Sequence, residues 1–303
     1  MRPAATALVA LALVFAASAR PSDTEDAGPA QPEWARLPEQ LARVLEAKSS
    51  GYARRALGFS VKESVREARY SNEEATREKV EVYDYLLVRE GAGPEGFRAF
   101  RTRPGETKEE RVELPFPEAM LWTQVFQPGI RSTLRFQVGD WHTTPYKLAI
   151  PVSWVTSAPV LGQRRITEWT GTAEVEYRTG NLVRIVARPS LQDERLKTEL
   201  ARYLTAFRFI GISFAPPPIG IELTVEFDFE HEGFTYPTRA ELLTFQLVHE
   251  DQRRTVSRQV ITYGEYRFFG TQVKDEIPPL TWNAPDRLPV PASPPQRRTE
   301  PPE

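Results

Sequence analysis

The chain contains three histidines, His142, His231 and His249, and two of them sit among carboxylates: His231 lies between Glu230 and Glu232, and His249 precedes Glu250 and Asp251. Such clusters hold a metal only where they converge. Folding the chain about Glu232-Gly233 as a two-residue turn puts His231 at one end of its strand and His249 at the far end of the next, so no metal site is expected. Glu222, Glu226, Asp228 and Glu230 share one face of a strand, which could pair an acid with a base. Carboxylates alternating with apolar residues are more commonly the wet side of a sheet. Ser153 and Ser213 stand outside any G-x-S-x-G nucleophile elbow, and there is no glycine-rich phosphate loop. The absence of cysteine removes thiolate nucleophiles, disulfides and Cys-based metal sites. The sequence thus predicts a non-enzymatic protein with no cofactor.

Charge and composition narrow the partners. A formal charge of -2 over 303 residues, with no long Lys/Arg run, predicts no nucleic-acid partner. Arg2, the apolar run Ala4 to Ala16 and Ala17-Ser18-Ala19 have the form of a signal peptide over 1–19, cleaved after Ala19. No later run approaches the length of a membrane span, so the mature protein is expected to be periplasmic or extracellular and not an integral membrane protein. Residues 20–33 read as a disordered spacer, 34–277 as a single folded β-rich domain, and 278–303 as a disordered Pro-rich tail.

The elements that position any site follow from periodicity. Ile221, Leu223, Val225, Phe227 and Phe229 alternate with polar residues as a half-buried strand does. A turn at Glu232-Gly233 sets Phe229 against Tyr236, Val225 against Ala240 and Leu223 against Leu242, with Glu226 facing Arg239. Apolar parity then switches from Leu242 to Leu243. Either a β-bulge at Leu242-Leu243 keeps one oily face, or both faces of the strand are covered; the bulge is the preferred reading. Folding again across residues 250–253 sets Val256 opposite Leu247 and Val260 opposite Leu243.

Elsewhere, Leu37, Leu41, Val44, Leu45 and Tyr52 form one stripe of an amphipathic helix, bent near Ser49-Ser50-Gly51. Residues 59–70 are charged and weakly patterned, residues 79–90 and 97–102 read as strands joined by a turn at 91–94, and 101–113 reads as a solvated loop. Pro115 to Gln127 reads as a short helix with Ala119, Trp122, Val125 and Phe126 on one face, ended by Pro128-Gly129. Residues 132–139 and 146–155 are strand-like, joined through 140–142, and 168–177 with 182–187 form a hairpin about Thr179-Gly180-Asn181. Ser190 with Asp193 resembles a capping box opening a helix that carries Leu196, Leu200, Tyr203, Leu204 and Phe207.

The signal, the N-terminal helix, the hairpin GTAEVEYRTGNLVRIVARP and the runs GFTYPTRAELLTF and SRQVITYGEYRFF resemble uncharacterised secreted bacterial proteins. At a remove they resemble the periplasmic lipoprotein-carrier (LolA/LolB-like) superfamily of the bacterial envelope. The fold expected is mainly β (α+β): a curved antiparallel sheet or open half-barrel with an N-terminal helix and one or two further helices packed on it. The resemblance implies helices over the concave side and an apolar cavity for acyl chains. Trp122, Phe126, Phe207, Val225, Phe227, Phe229, Leu242 and Phe245 are the candidate cavity residues. Two readings stand: a binder of a lipid or acylated ligand, or an interaction module with a packed core that meets other envelope proteins.

Overall fold

The computed structural model describes residues 39–269, except 57, 72, 90–96, 111, 113, 141, 144–147, 157–164, 211–215 and 250–251. The expected signal peptide, spacer and tail, the turn at 91–94 and Trp141 lie outside the described residues. Among the described residues, eleven strands form one antiparallel sheet in the order β3-β2-β1-β11-β10-β9-β8-β7-β6-β4, with β5 also pairing β6. The strands are β1 (Phe59–Ser71), β2 (Glu74–Arg89), β3 (Phe97–Thr102), β4 (Leu134–Val138), β5 (His142–Thr143), β6 (Leu148–Thr156), β7 (Trp169–Glu176), β8 (Leu182–Pro189), β9 (Ile219–His231), β10 (Phe234–His249) and β11 (Gln252–Phe268). The end strands β3 and β4 do not pair with each other, so the sheet stays open.

The β9–β10 hairpin pairs as its alternation dictates. Phe229 faces Tyr236, Val225 faces Ala240, Leu223 faces Leu242 and Glu226 faces Arg239. Glu232 and Gly233 both take positive φ, 48° and 76°, the turn that matches strand twist. The pairing is irregular at Pro237-Thr238, with the same register on either side, and runs unbroken through Leu242↔Leu223 and Leu243↔Glu222. Proline offers no N–H to the ladder, so the irregularity falls where a donor is missing.

Parity changes at Leu242-Leu243 because both faces are covered. Ala240 and Leu242 enter the main core, whereas Leu243, Phe245 and Leu247 pack with Leu196 and Leu200 of helix α3 (Gln192–Ile210). Gly220 pairs with Phe245, and a Cβ there would stand 2.5 Å from the Phe245 ring, so the missing side chain lets ring and helix lie on the sheet. The β10–β11 register differs from expectation by two residues at Leu243, which faces Arg258, and by three at Leu247, which faces Arg253, because Val256 is left out of the pairing between Thr255 and Ser257.

Helix α1 (Glu39–Gly51) includes Ser49-Ser50-Gly51 and runs into a π-helical turn, Tyr52–Ala56. Leu41, Leu45 and Tyr52 bury its stripe in the main core, each side chain contributing about 1.5–3 kcal/mol when fully buried. A 3-10 helix, Ala119–Gln124, covers the same face. Pro128-Gly129 opens a short helix, α2 (Pro128–Arg131), instead of closing one, with Pro at the position where its absent N–H costs nothing.

Helix α3 thus lies on the face opposite α1. Ser190 does not cap it, since its buried hydroxyl has no hydrogen-bond partner among the described residues. Gln192 anchors the start instead, its amide donating to Ile221 O at 2.8 Å and accepting from Ile221 N–H at 2.9 Å.

Candidate functional site at the β3 edge

On β1 the core face reads Phe59, Val61, Glu63, Val65, and the glutamate is as buried as its apolar neighbours. Beyond β3 the chain turns at Pro104-Gly105 and folds back along the sheet edge, where Glu110 N–H donates to Arg101 O at 2.7 Å. It then sends Leu114 and Phe116 into the core and presents Glu118 at the start of the 3-10 helix. Sheet and cover meet at Arg101 of β3.

The Arg101 guanidinium donates through Nε and Nη2 to the two Glu63 oxygens at 2.5 and 2.9 Å. Through Nη1 and Nη2 it also donates to the two Glu118 oxygens at 2.9 and 2.7 Å. Its carbon lies 4.9 Å from the Tyr85 ring centre, which adds a cation–π contact. Glu63 is fully buried, Arg101 is 2% exposed and the Glu118 side chain is 18% exposed, so the carboxylates differ in their access to water.

Burial pushes the Glu63 carboxyl above its ordinary value, and the Arg101 bonds pull against that shift. Burial alone would lower Arg101, but the bonds to Glu63 and Glu118 outweigh it and raise the guanidinium further. Tyr85 and Tyr263, both buried beside the cluster, are pushed well above a normal phenol by burial and by neighbouring carboxylates. Each phenol is therefore a neutral group beside the carboxylates.

Over this cluster opens a cleft of about 650 Å³. Its lining combines apolar side chains, Ala99, Val112, Leu114, Phe116, Pro117 and Leu121, with the charged Arg98, Arg101, Glu109, Glu110 and Glu118. Arg98 pairs with Glu109 at 3.1 Å, and Arg103 with Glu110 at 2.6 Å. The stretch expected to be a solvated loop therefore begins with a buried cation and lines a cleft.

The residues singled out from the sequence fall elsewhere. Trp122, Phe126, Val225, Phe227 and Leu242 are packed in the main core, with half-buried Phe229 against it. The Trp122 ring sits 5.7 Å edge-on from Trp169 and 6.2 Å from Trp154. Phe229 stacks on Tyr266 at 4.8 Å. Phe245 lies on the opposite face under α3, and the Phe207 side chain lies outside the described residues.

Two further clefts, of about 410 and 280 Å³, lie on the face that carries α3. The larger holds Arg66, Arg239 and Arg258, each already paired with a glutamate. Among the described residues, the linings of these three clefts do not include Trp122, Phe126, Val225, Phe227, Phe229, Leu242 or Phe245. The register sets His231 and His249 at opposite ends of β10. No group of three or more His, Asp or Glu that could hold a metal occurs among the described residues.

The missed residues carried one usable signal. Glu63 is in phase with Phe59, Val61 and Val65, and a carboxylate at a core-facing position demands a buried cation. Arg101, in phase with Phe97 and Ala99 on β3, is such a cation.

Solved structures with some likeness to the chain include a LolA superfamily protein from Nitrosomonas europaea, at 11% identity over 75% of this chain and 93% of that one, TM-score 0.36. A domain from Vibrio parahaemolyticus described as an outer membrane lipoprotein-sorting protein has 9% identity over 78% and 95%, TM-score 0.39. A DUF1329 family protein from Desulfovibrio piger has 9% identity over 78% and 94%, TM-score 0.40. No protein-family model matches the chain, and no curated protein matches it.

Proposed function

We propose that this protein is a non-catalytic binder of an apolar, lipid-like ligand. The apolar part of the ligand lies in the cleft between β3 and the segment 114–121. One observation carries the reading: the cleft's volume of about 650 Å³ falls within the range of roughly 300–1,000 Å³ usual for ligand sites, and Ala99, Val112, Leu114, Phe116, Pro117 and Leu121 are among its lining residues. Trp122, Phe126, Val225, Phe227 and Leu242 belong to the same core as Leu114 and Phe116, with Phe229 packed against that core, and Phe245 lies on the opposite face of the sheet. In this reading the protein works in the periplasm or outside the cell after export directed by residues 1–19. The folded unit spans 34–277 as one domain, and the tail 278–303 is not needed for the ligand.

The test is titration of the full-length mature chain with a solvatochromic fluorescent probe bearing a single acyl chain. Ala99 lines the cleft on the strand side, so Ala99→Trp fills the space. The wild type should bind the probe in a single class of sites, and the variant about tenfold or more weakly, since every 1.4 kcal/mol is a factor of ten. Equal affinity for both proteins places the ligand elsewhere. A wild type that binds no probe, but recovers other envelope proteins, sides with the packed interaction module.

A further inference from the structure

Among the described residues, the charges at the foot of the cleft do not balance, and the imbalance selects the polar end of the ligand. This step rests on the reading of the cleft as a ligand site. Around the rim the pairs cancel: Arg98 with Glu109 at 3.1 Å and Arg103 with Glu110 at 2.6 Å. At the base a single guanidinium, Arg101, serves two carboxylates, Glu63 and Glu118.

Both Glu63 oxygens accept N–H bonds from Arg101, the contact of a carboxylate rather than a protonated acid. Glu63 is sealed from water and thereby claims the cation. The surplus negative charge therefore rests on Glu118, whose side chain is 18% exposed and lines the cleft. Four guanidinium donations are already spent on the two carboxylates, so Arg101 has little left for an incoming anion. A second anion beside Glu118 in a partly desolvated site is repelled, whereas a cation or a strong hydrogen-bond donor is attracted.

We infer that the ligand is an amphiphile whose polar end is an amine or another cationic, donor-rich group, and that Glu118 receives it while the chain lies along Leu114, Phe116 and Leu121. No covalent step is involved.

The experiment is displacement of the acyl-chain probe from the mature protein by three amphiphiles of equal chain length, dodecylamine, dodecanol and dodecanoate, at neutral pH and low salt. The amine should bind about tenfold more tightly than the carboxylate, with the alcohol between them. Glu118→Gln should reduce that ratio to about threefold or less, and salt should reduce it in the wild type. Glu118→Gln keeps the Arg101–Glu63 pair, and an unchanged melting temperature shows that it folds; the ranking in the wild type needs no variant. A carboxylate that matches or exceeds the amine overturns the head-group inference while leaving the cleft as a binding site. So does a preference that survives in Glu118→Gln. Failure of the probe and all three amphiphiles to bind overturns the cleft reading itself, and this inference with it.

Discussion

Arg101 on β3 and Glu63 on β1 meet on the buried face of the sheet although β2 runs between them, their two hydrogen bonds, at 2.5 and 2.9 Å, passing close to the Tyr85 ring. Glu118 joins the same guanidinium from the covering segment, so one side chain ties two strands to the cover. Isolated charges do not survive in such a place, because each lost solvation must be offset by a partner.

Removing the cation should therefore be costly. Arg101→Met leaves two carboxylates, one fully buried, without compensation, and urea denaturation should show a loss of roughly 3–5 kcal/mol. Replacing Glu63 and Glu118 by Leu in the same chain should recover most of that loss, because an apolar trio of similar volume needs no partner. Failure of the triple variant to recover would place the destabilisation in packing against Tyr85 instead of charge.

The pH dependence follows from the direction of the Glu63 shift. Its folded pKa lies above the ordinary value of 4.5, so between those two points the folded chain binds more protons than the unfolded one. Stability attributable to Glu63 accordingly falls as pH rises through that window. Denaturation of wild type and Glu63→Gln, repeated at steps from pH 4 upward, should show the wild type losing stability relative to the variant as pH rises above 4.5. Parallel curves throughout would contradict the shift.

Much of the fold is legible in the sequence because most strands obey a two-residue alternation. Phe229, Val225 and Leu223 have the partners that simple turn counting assigns them. β1 is not legible in the same way: Glu63 occupies an apolar-phase position, so the strand looks like a charged, patternless run. Once β1 is missed, Arg101 has no visible partner and reads as part of a solvated loop. The switch at Leu242-Leu243 records coverage of both faces, which alternation alone cannot distinguish from a bulge; Gly220, opposite Phe245, is the residue that marks the close approach. Trp122 and Phe126 read equally as cavity or core, because aromatic side chains serve both.

The packing of α3 on the outer face gives a separate test. A methyl group at residue 220 would meet the Phe245 ring at 2.5 Å and Leu196 at 3.0 Å. Gly220→Ala should cost about 1–3 kcal/mol by overpacking. Phe245→Ala should cost about 3–5 kcal/mol, and in combination with it the Gly220→Ala penalty should shrink. Additive losses in urea denaturation would contradict direct contact between the two positions.

Tyr52 fixes α1 to the β10 end of the sheet. Its hydroxyl accepts from Thr235 N–H at 2.7 Å and donates to Thr235 O, both buried. Tyr52→Phe leaves those main-chain groups unpaired and should cost about 1–3 kcal/mol. Hydrogen exchange at the Thr235 amide should accelerate more than at amides near α3, and uniform acceleration would indicate global destabilisation only.

The central claim, that the cleft at the β3 edge holds an amphiphile, is tested most directly by native mass spectrometry of the protein isolated from its own envelope, comparing wild type with Ala99→Trp. The account predicts a wild-type population carrying added mass that fragments to a molecule with one or more acyl chains, and its loss from the variant. Wild type at bare chain mass, or an adduct retained equally by Ala99→Trp, would contradict it.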